Sequence, residues 1–217
     1  MKYSFILEEV SLKSKMSSPV IPSASEIKEL HDSYFLNIAW PKESEMKYHV
    51  SDSLFKFIEA NHFFNTKLWN EEDLARRLKV SDTEIAKNKR AIDKFNQSRN
   101  DCIEKIDSFI LGHATKSILK EAKQNSETLG SMIDRLSILS LKILHMALQT
   151  RRIDASEIHK KNCEEKFKIL EIQRNDLCVC FDELVYDHLQ GLRYFKQYKQ
   201  FKMYNDANLN PQLYGEK

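Results

Sequence analysis

Acidic and basic side chains gather beside a tryptophan in "LWNEEDLARR", residues 68–77. Glu72 and Arg76 are four residues apart, so a helix would place them on one face with Trp69 beside them. Such a pair is ordinarily a solvated salt bridge that stabilises a helix by about 0.3–0.5 kcal/mol. The alternative is a carboxylate that takes part in ligand binding or catalysis, and Asp73 belongs to the same group of candidates.

A second set of carboxylates is formed by Glu104 and Asp107, which lie three residues apart on one face of a predicted helix. Glu71, Glu72 and Asp73 precede them on the neighbouring predicted helix. Carboxylates on adjacent helices can hold Mg²⁺ for phosphate chemistry, as in all-α nucleotide pyrophosphohydrolases. The EExxE half of that signature is absent, so we expect neither a metal nor another cofactor.

The signatures of covalent catalysis are missing. The sequence has no Gly-rich phosphate loop, no GxSxG element and no Cys and His at a recognisable spacing. Its four cysteines lack CxxC spacing and are typical of reduced thiols in a reducing cytoplasm. Whether the protein is an enzyme stays open at this stage.

One short element occurs twice. "QSRNDCIEKID", residues 97–107, is echoed by "QRNDLCVCFDELV", residues 173–185, so that Arg-Asn-Asp is followed six residues later by another Asp in both copies. At about 100° per residue, Arg99 lies on the stripe of Ile103 and Ile106, and Arg174 lies on the stripe of Leu177 and Phe181. Both arginines are therefore predicted to face apolar surroundings.

A guanidinium in apolar surroundings needs a carboxylate or several other acceptors. Hairpin turns near residues 80–81 and 153–154 would put Arg99 opposite His62 and Gln173 opposite Asp134. Both groups lie about 27–30 Å from their turns, so they are predicted to meet at one height. The resulting buried polar layer consists of Asn61, His62, Asn65, Asn96, Arg99, Asn100, Asp134, Gln173 and Arg174. It either fixes helix register or lines a cavity for an anionic or hydroxyl-rich small molecule.

Helices must position these residues, because the 217-residue chain has only four Gly and four Pro. We predict an all-α antiparallel bundle of about five helices built from two long hairpins. The first helix is capped by Ser23 or Ser25 and stops at Trp40-Pro41, with Ile38 on its apolar stripe. The others are predicted over residues 51–78, 81–112, 129–151 and 157–204.

Three regions are predicted along the chain. Residues 1–22 form a mobile N-terminal arm, residues 23–204 a single helical-bundle domain and residues 205–217 an irregular C-terminal tail. Within the last helix, Tyr194, Tyr198 and Phe201 fall at the spacing of a packing stripe. This basic and aromatic segment, residues 191–204, is interpreted as a packing or protein-partner face in preference to an RNA-binding or membrane-binding face.

Composition narrows the list of partners. Lys and Arg number 34 against 32 Asp and Glu, a net charge of +2 that does not favour nucleic acid as a partner. No stretch approaches the 18 or so apolar residues of a membrane span, so a cytoplasmic protein is expected. Residues 129–151 are apolar nearly all round, which is typical of the most buried helix and leaves a homodimer open.

Longer motifs resemble a known family. "LHDSYFLNIAW", "LWNEEDLARR", "KRAIDKFNQSRNDCIEKID", "GSMIDRLSILSLKILHM" and "FKQYKQFKMYNDANLNPQLY" together resemble a bacterial family built on a domain of unknown function, over residues 25–214. The resemblance implies an all-helical fold and genes near glycosyltransferases of envelope polysaccharide assembly. It draws attention to Trp69, Glu72, Asp73, Arg76, Arg99, Asn100, Asp101, Asp134 and Arg135. The family often has His where this chain has Asn70.

Two functions follow as expectations. The first is a non-catalytic cytoplasmic protein that binds a partner protein, such as a glycosyltransferase of envelope glycan assembly. The second is a binding protein, hydrolase or transferase that acts on a sugar nucleotide or related phosphate compound through the Arg/Asn/Asp layer. A ligand screen with variants of Arg99 and Arg174 separates them.

Overall fold

The computed structural model describes residues 21–114, 116–199 and 203–215. The predicted mobile arm, residues 1–22, lies outside the described residues except for residues 21 and 22. Within the described part the fold is all-α, as predicted. The six helices found there are α1 Ala24–Tyr34, α2 Leu54–Ala75, α3 Asp82–Gly112, α4 Leu129–Thr150, α5 Glu157–Gln190 and α6 Pro211–Tyr214.

Short elements complete the fold. Single 3₁₀ turns cover Glu43–Glu45 and Met203–Asn205. Two strands of two residues each, β1 Lys123–Gln124 and β2 Arg193–Tyr194, pair in parallel and join the loop after α3 to the segment after α5. The predicted irregular tail, residues 205–217, thus contains α6 and the last residue of the second 3₁₀ turn.

Local sequence sets several helix starts. The side chain of Ser81 accepts a hydrogen bond from the backbone N–H of Glu84, and the Glu84 side chain accepts one from the Ser81 backbone. This reciprocal capping box begins α3, as predicted. Ser23 and Glu26 do the same at α1, so Ser23 is the cap there.

Two long antiparallel hairpins, α2 with α3 and α4 with α5, form the bundle, and α1 packs against α2, α4 and α5. Apolar residues on the inward stripes of α1, α2, α3, α4 and α5 make one core. Its fully buried members include Ile27, Tyr34, Ile58, Ile106, Leu129, Ile133, Leu136 and Phe181.

The first two helices end earlier than predicted. α1 stops at Tyr34, and Ile38 is fully exposed instead of lying on the apolar stripe. The cause is local: the side chain of Asn37 accepts a hydrogen bond from the backbone N–H of Ala39, which competes with helical hydrogen bonding. α2 ends at Ala75 instead of near residue 78.

The fifth helix also ends early, at Gln190 instead of Tyr204. Gly191 caps it with φ 73°, a left-handed conformation that favours glycine. A Cβ on Gly191 would lie 2.6 Å from the backbone oxygen of Ser117. The close approach lets the loop after α3 pair with the chain beyond α5, where the Leu119 N–H donates to the Gly191 carbonyl at 3.1 Å.

Tyr194 and Tyr198 therefore do not lie on a helical stripe. Tyr194 belongs to β2, and Tyr198 is 62% exposed. The buried aromatic residue is Phe195, whose ring lies 5.0 Å from that of His188. Phe201 lies outside the described residues.

Candidate functional site

A buried carboxylate on α4 collects polar side chains from α2. Oδ1 of Asp134 accepts hydrogen bonds from the amide groups of Asn61 and Asn65, each at 2.9 Å. Asn65 also donates to Oγ of Ser137 at 3.0 Å, one helical turn along α4. Because each buried polar atom of this set has a partner, the group holds α2 against α4 in one register.

Arg99 of α3 reaches the same carboxylate. Its Nε lies 3.9 Å from Oδ1 of Asp134, and its guanidinium donates to Oδ1 of the buried Asn100 at 3.1 Å. The Arg99 Nε makes no hydrogen bond with any residue that the structure describes. Three helices thus contribute to one polar cluster, centred on Asp134.

His62 extends the cluster toward α1. Its Nδ1 is 2.9 Å from Oγ of Ser137, and its ring stacks on that of His31 at 4.5 Å. Burial lowers the pKa of His62 to about 3 and lowers the pKa of His31 as well. Both rings are therefore neutral near pH 7, which allows the two to stack without charge repulsion.

Glu59, which sequence analysis did not select, is a fully buried carboxylate next to this cluster. It accepts hydrogen bonds from the Tyr34 hydroxyl and from the backbone N–H groups of Lys47 and Tyr48. It thereby ties the loop between α1 and α2 to the core. A sequence signal existed, because Glu59 and His62 form a Glu-x-x-His element on α2.

Arg174 lies apart from Arg99. Its guanidinium donates to both carboxylate oxygens of Asp32, at 2.8 and 3.0 Å, and to Oγ of Ser140 at 3.2 Å. Ser140 follows Asp134 by six residues, which places the two side chains about 120° apart around α4. The residues predicted to form one layer therefore form two separate polar groups. One is centred on Asp134, and the other joins Arg174 to Asp32 and Ser140.

The predicted pairing of Gln173 with Asp134 is wrong. Gln173 is exposed and lines a groove of about 670 Å³ between α4 and α5. Gln173 lies about 100° around α5 from the inward-facing Arg174, which directs its side chain to the surface groove.

The repeated element has a shared structural role. In the first copy, Oδ1 of Asp107 accepts a hydrogen bond from the backbone N–H of Gly130 at 2.8 Å, in the first turn of α4. Arg99, eight residues earlier, approaches Asp134 farther along α4. α3 thus holds α4 through one contact with its first turn and one with a later carboxylate.

The second copy repeats this arrangement with other helices. Oδ1 of Asp182 accepts from the backbone N–H of Ala24 at 2.8 Å, at the start of α1. Arg174, eight residues earlier, pairs with Asp32 near the end of α1. The two copies therefore each attach an antiparallel helix to a long helix, which accounts for the recurrence of Arg-Asn-Asp with a following Asp.

Asp107 holds α4 unusually close to α3. A Cβ on Gly130 would lie 2.7 Å from both Oδ1 of Asp107 and the backbone oxygen of Ile103, so only glycine fits. Burial raises the pKa of Asp107 to about 6, against the opposing effect of hydrogen bonds from Thr128 and Gly130. A carboxylate at a helix N-terminus is favoured by the helix dipole.

A cleft of about 430 Å³ opens above the Asp134 cluster, between α2, α3 and α4. It brings together most of the side chains that sequence analysis proposed for ligand binding. They are Asn65, Trp69, Glu72, Asp73, Arg76, Asn96 and Arg99. Arg76 and Glu72 form an exposed ion pair at its rim, and Asn96 is half-buried in its wall. We call this the Trp69 cleft.

Trp69 separates the cleft from a second one of about 470 Å³ that includes Asp73, Lys142, His145 and Leu170. The Trp69 and His145 rings stack at 4.3 Å. The Trp69 Nε1–H is buried and finds no acceptor among the described residues. Burial lowers the pKa of His145, while Asp73 acts in the opposite direction. Asn70, the neighbour of Trp69, is exposed.

The carboxylates considered for Mg²⁺ are not brought together. Phe57 packs against Phe109 near the Asp107 end of the hairpin. Glu72 lies fifteen residues after Phe57 on α2, which corresponds to about 22 Å along the helix axis. Within residues 21–114, 116–199 and 203–215, no three His, Cys, Asp or Glu side chains are grouped so that they could hold a metal ion.

Comparison with known proteins identifies a family for this chain. The family described as "Protein of unknown function (DUF4254)" matches residues 55–197. This range covers about two thirds of the chain. The chain belongs to the DUF4254 family. No curated protein and no solved structure matches it.

The DUF4254 match runs from the start of α2 to the segment after β2, so it contains both hairpins, both copies of the repeat and the whole Trp69 cleft. α1, which supplies Asp32 and His31, lies before the matched range. The bacterial origin and neighbouring glycosyltransferase genes implied by the resemblance stay predictions. Among the described helices, none combines the length and apolar character needed to cross a membrane.

Proposed function

We propose that this protein of the DUF4254 family binds a small, hydroxyl-rich phosphate compound, such as a sugar phosphate or a sugar nucleotide, in the Trp69 cleft. One observation supports the proposal most directly. Two buried donors without an acceptor among the described residues, Nε1 of Trp69 and Nε of Arg99, belong to side chains that line the same cleft. Buried donors are rarely left unpaired in folded proteins. Both nitrogens are buried in the ligand-free chain, so ligand oxygens pair with them after a small rotation of the two side chains toward the cleft.

The other lining groups suit the same class of ligand. Arg76 and Arg99 are cations that can bind phosphate oxygens, and Arg can do so with two parallel hydrogen bonds. Glu72 and Asp73 can accept hydrogen bonds from sugar hydroxyl groups, and Asn96 can donate or accept. A cleft of about 430 Å³ lies within the usual size range of small-molecule sites.

The rigid base of the cleft also favours binding. Asn65 and Arg99 are held from below by Asp134, which itself is fixed by Asn61. Side chains that are ordered before the ligand arrives lose less conformational entropy on binding. A cytoplasmic location and a place in envelope glycan assembly are further parts of the proposal, since sugar nucleotides are the donors for such assembly.

Calorimetry and thermal shift with glucose 1-phosphate and UDP-glucose test the proposal. Trp69→Phe keeps an aromatic ring against His145 but removes the N–H, and we expect about fivefold or greater loss of affinity. Arg76→Ala should weaken binding by a similar factor. Arg135→Ala is the matched control, because Arg135 is also an exposed arginine in an ion pair, with Glu127 at 2.8 Å, but lies outside the cleft.

Two results would overturn the proposal. One is the absence of any heat or stabilisation at millimolar ligand. The other is binding that Arg135→Ala weakens while Trp69→Phe and Arg76→Ala leave it unchanged, which would move the ligand to the groove between α4 and α5. Co-purification of a glycosyltransferase without ligand binding would instead favour the partner-binding function.

A further inference from the structure

Helix α5 carries an apolar stripe on its solvent side. Ile158, Ile172, Val179 and Tyr186 are spaced at multiples of seven residues and are 76%, 59%, 58% and 62% exposed. Single exposed apolar residues are common on protein surfaces, but a stripe that extends over 28 residues, about 42 Å of helix, is not.

The stripe lies opposite the face that α5 buries in the bundle. Ile172 is nine residues from both Cys163 and Phe181, which are buried, so its side chain points about 180° away from theirs. A seven-residue spacing drifts by about 20° per step around a straight helix, in the sense that suits left-handed pairing with another helix. The pattern thus fits a helix partner better than a flat surface.

Charges along this face differ between its two halves. Lys161 and Lys168 flank the stripe before Ile172, whereas Asp176 and Glu183 flank it afterwards. All four side chains are exposed. Asp176 and Glu183 form no ion pair with any residue the structure describes, and Lys168 is paired only with Glu164 of the same turn, at 3.1 Å. A helix face with two lysines before Ile172 and two carboxylates at the matching distances after it can form ion pairs with its own antiparallel copy.

We propose that the stripe binds a second copy of this chain, with the two α5 helices antiparallel about a two-fold axis at Ile172. In this register Ile158 meets Tyr186 of the second copy, Lys161 meets Glu183 and Lys168 meets Asp176. Each contact occurs twice by symmetry. Apart from Glu165 and Val179, the apolar positions named here then face apolar side chains, and each lysine faces a carboxylate.

Glu165 is the polar interruption of the seven-residue series and faces Val179 of the second copy. It limits the affinity, so a weak dimer that forms over about 1–100 µM protein is expected. The apolar character of residues 129–151 also suggested a dimer, but the buried residues of α4 face the other helices of the same chain. The α5 stripe is a different surface from the buried face of α4, and it is independent of the Trp69 cleft.

Sedimentation equilibrium of the full chain over this concentration range tests the proposal. Ile172→Glu places two carboxylates at the two-fold axis and should yield only monomer, while the exposed position keeps the fold intact. Ile153→Glu is the control, since Ile153 is 98% exposed, apolar and outside the stripe, and should leave the dimer unchanged. Glu165→Leu should tighten the dimer at least about tenfold, as expected for a newly buried leucine.

Charge reversal tests the antiparallel register. Lys161→Glu or Glu183→Lys alone should weaken the dimer about tenfold, because each creates two like-charge contacts. The double variant should restore the wild-type dissociation constant. A wild-type chain that stays monomeric at 100 µM, a dimer insensitive to Ile172→Glu, or a double variant weaker than both single ones would overturn the proposal.

Discussion

Gly130 offers a test in which helix propensity and tertiary packing predict opposite results. Gly130 lies in the first turn of α4, and Gly→Ala stabilises a helix by up to about 1 kcal/mol. In the folded protein, however, the new Cβ would lie 2.7 Å from the backbone oxygen of Ile103 and from Oδ1 of Asp107. The Asp107 side chain can rotate away, but the carbonyl of Ile103 cannot move without shifting α3.

The expected magnitude follows from these contacts. Overpacking between two helices costs about 1–3 kcal/mol. Weakening of the Asp107 hydrogen bond to the first turn of α4 costs about 1 kcal/mol more. Since the gain in propensity offsets only about 1 kcal/mol, we expect Gly130→Ala to lower the free energy of unfolding by about 1–3 kcal/mol.

Urea unfolding followed by circular dichroism measures the change in the free energy of unfolding. In a thermal unfolding experiment, each kcal/mol lost corresponds to a fall in Tm of roughly 2–4 °C for a chain of this size. Gly112→Ala is the matched control, because a Cβ there meets nothing within 4 Å. It should leave stability unchanged or raise it by up to about 1 kcal/mol. If Gly130→Ala is as stable as Gly112→Ala, the close packing of α3 on α4 is refuted.

Three further predictions concern the same contacts. Because burial raises the pKa of Asp107 from 3.8 to about 6, its contribution to stability is fully present below about pH 4 and is lost as the pH rises through 6. Asp107→Asn should remove this loss of up to about 3 kcal/mol, seen as a flatter pH profile of urea unfolding between pH 4 and 7. Gly191→Ala should cost at least about 1 kcal/mol, given φ 73° and the 2.6 Å approach to Ser117, and normal stability would contradict the left-handed cap. Asp32→Ala should cost about 1–2 kcal/mol by leaving the 11% exposed Arg174 side chain without a carboxylate, and a double-mutant cycle with no coupling would exclude the pair.

Much of the fold was predictable because the relevant signals are local. Ser81 with Glu84 marks the start of α3, and the paucity of Gly and Pro indicates long helices. The ends of helices were harder to predict. Asn37 ends the regular structure near α1 through a side-chain hydrogen bond, and Gly191 ends α5 because of a carbonyl from a loop 74 residues earlier. The residues around Gly191 do not show in their own sequence pattern that the Ser117 carbonyl will lie next to them.

In the candidate site, too, some features were predictable from local spacing and others were not. Helical spacing predicted that Arg99 and Arg174 turn inward, and the structure places each of them near a carboxylate. The predicted hairpin register placed Asn65, Asn96 and Arg99 close together, and in the structure all three line the Trp69 cleft. It did not predict Asp32 or Glu59, because their contacts depend on how α1 and its following loop cross the bundle.

The amino-acid sequence by itself determined which faces of the long helices are buried, where α3 begins and which residue types could bind a phosphate compound. These properties depend on spacing along one helix, which is fixed at 3.6 residues per turn. Only the tertiary structure decided that the two copies of Arg-Asn-Asp act on different helices, α4 and α1, and that Gln173 points to solvent. Those outcomes depend on rotations and crossings between helices, which many side chains distant in sequence set together.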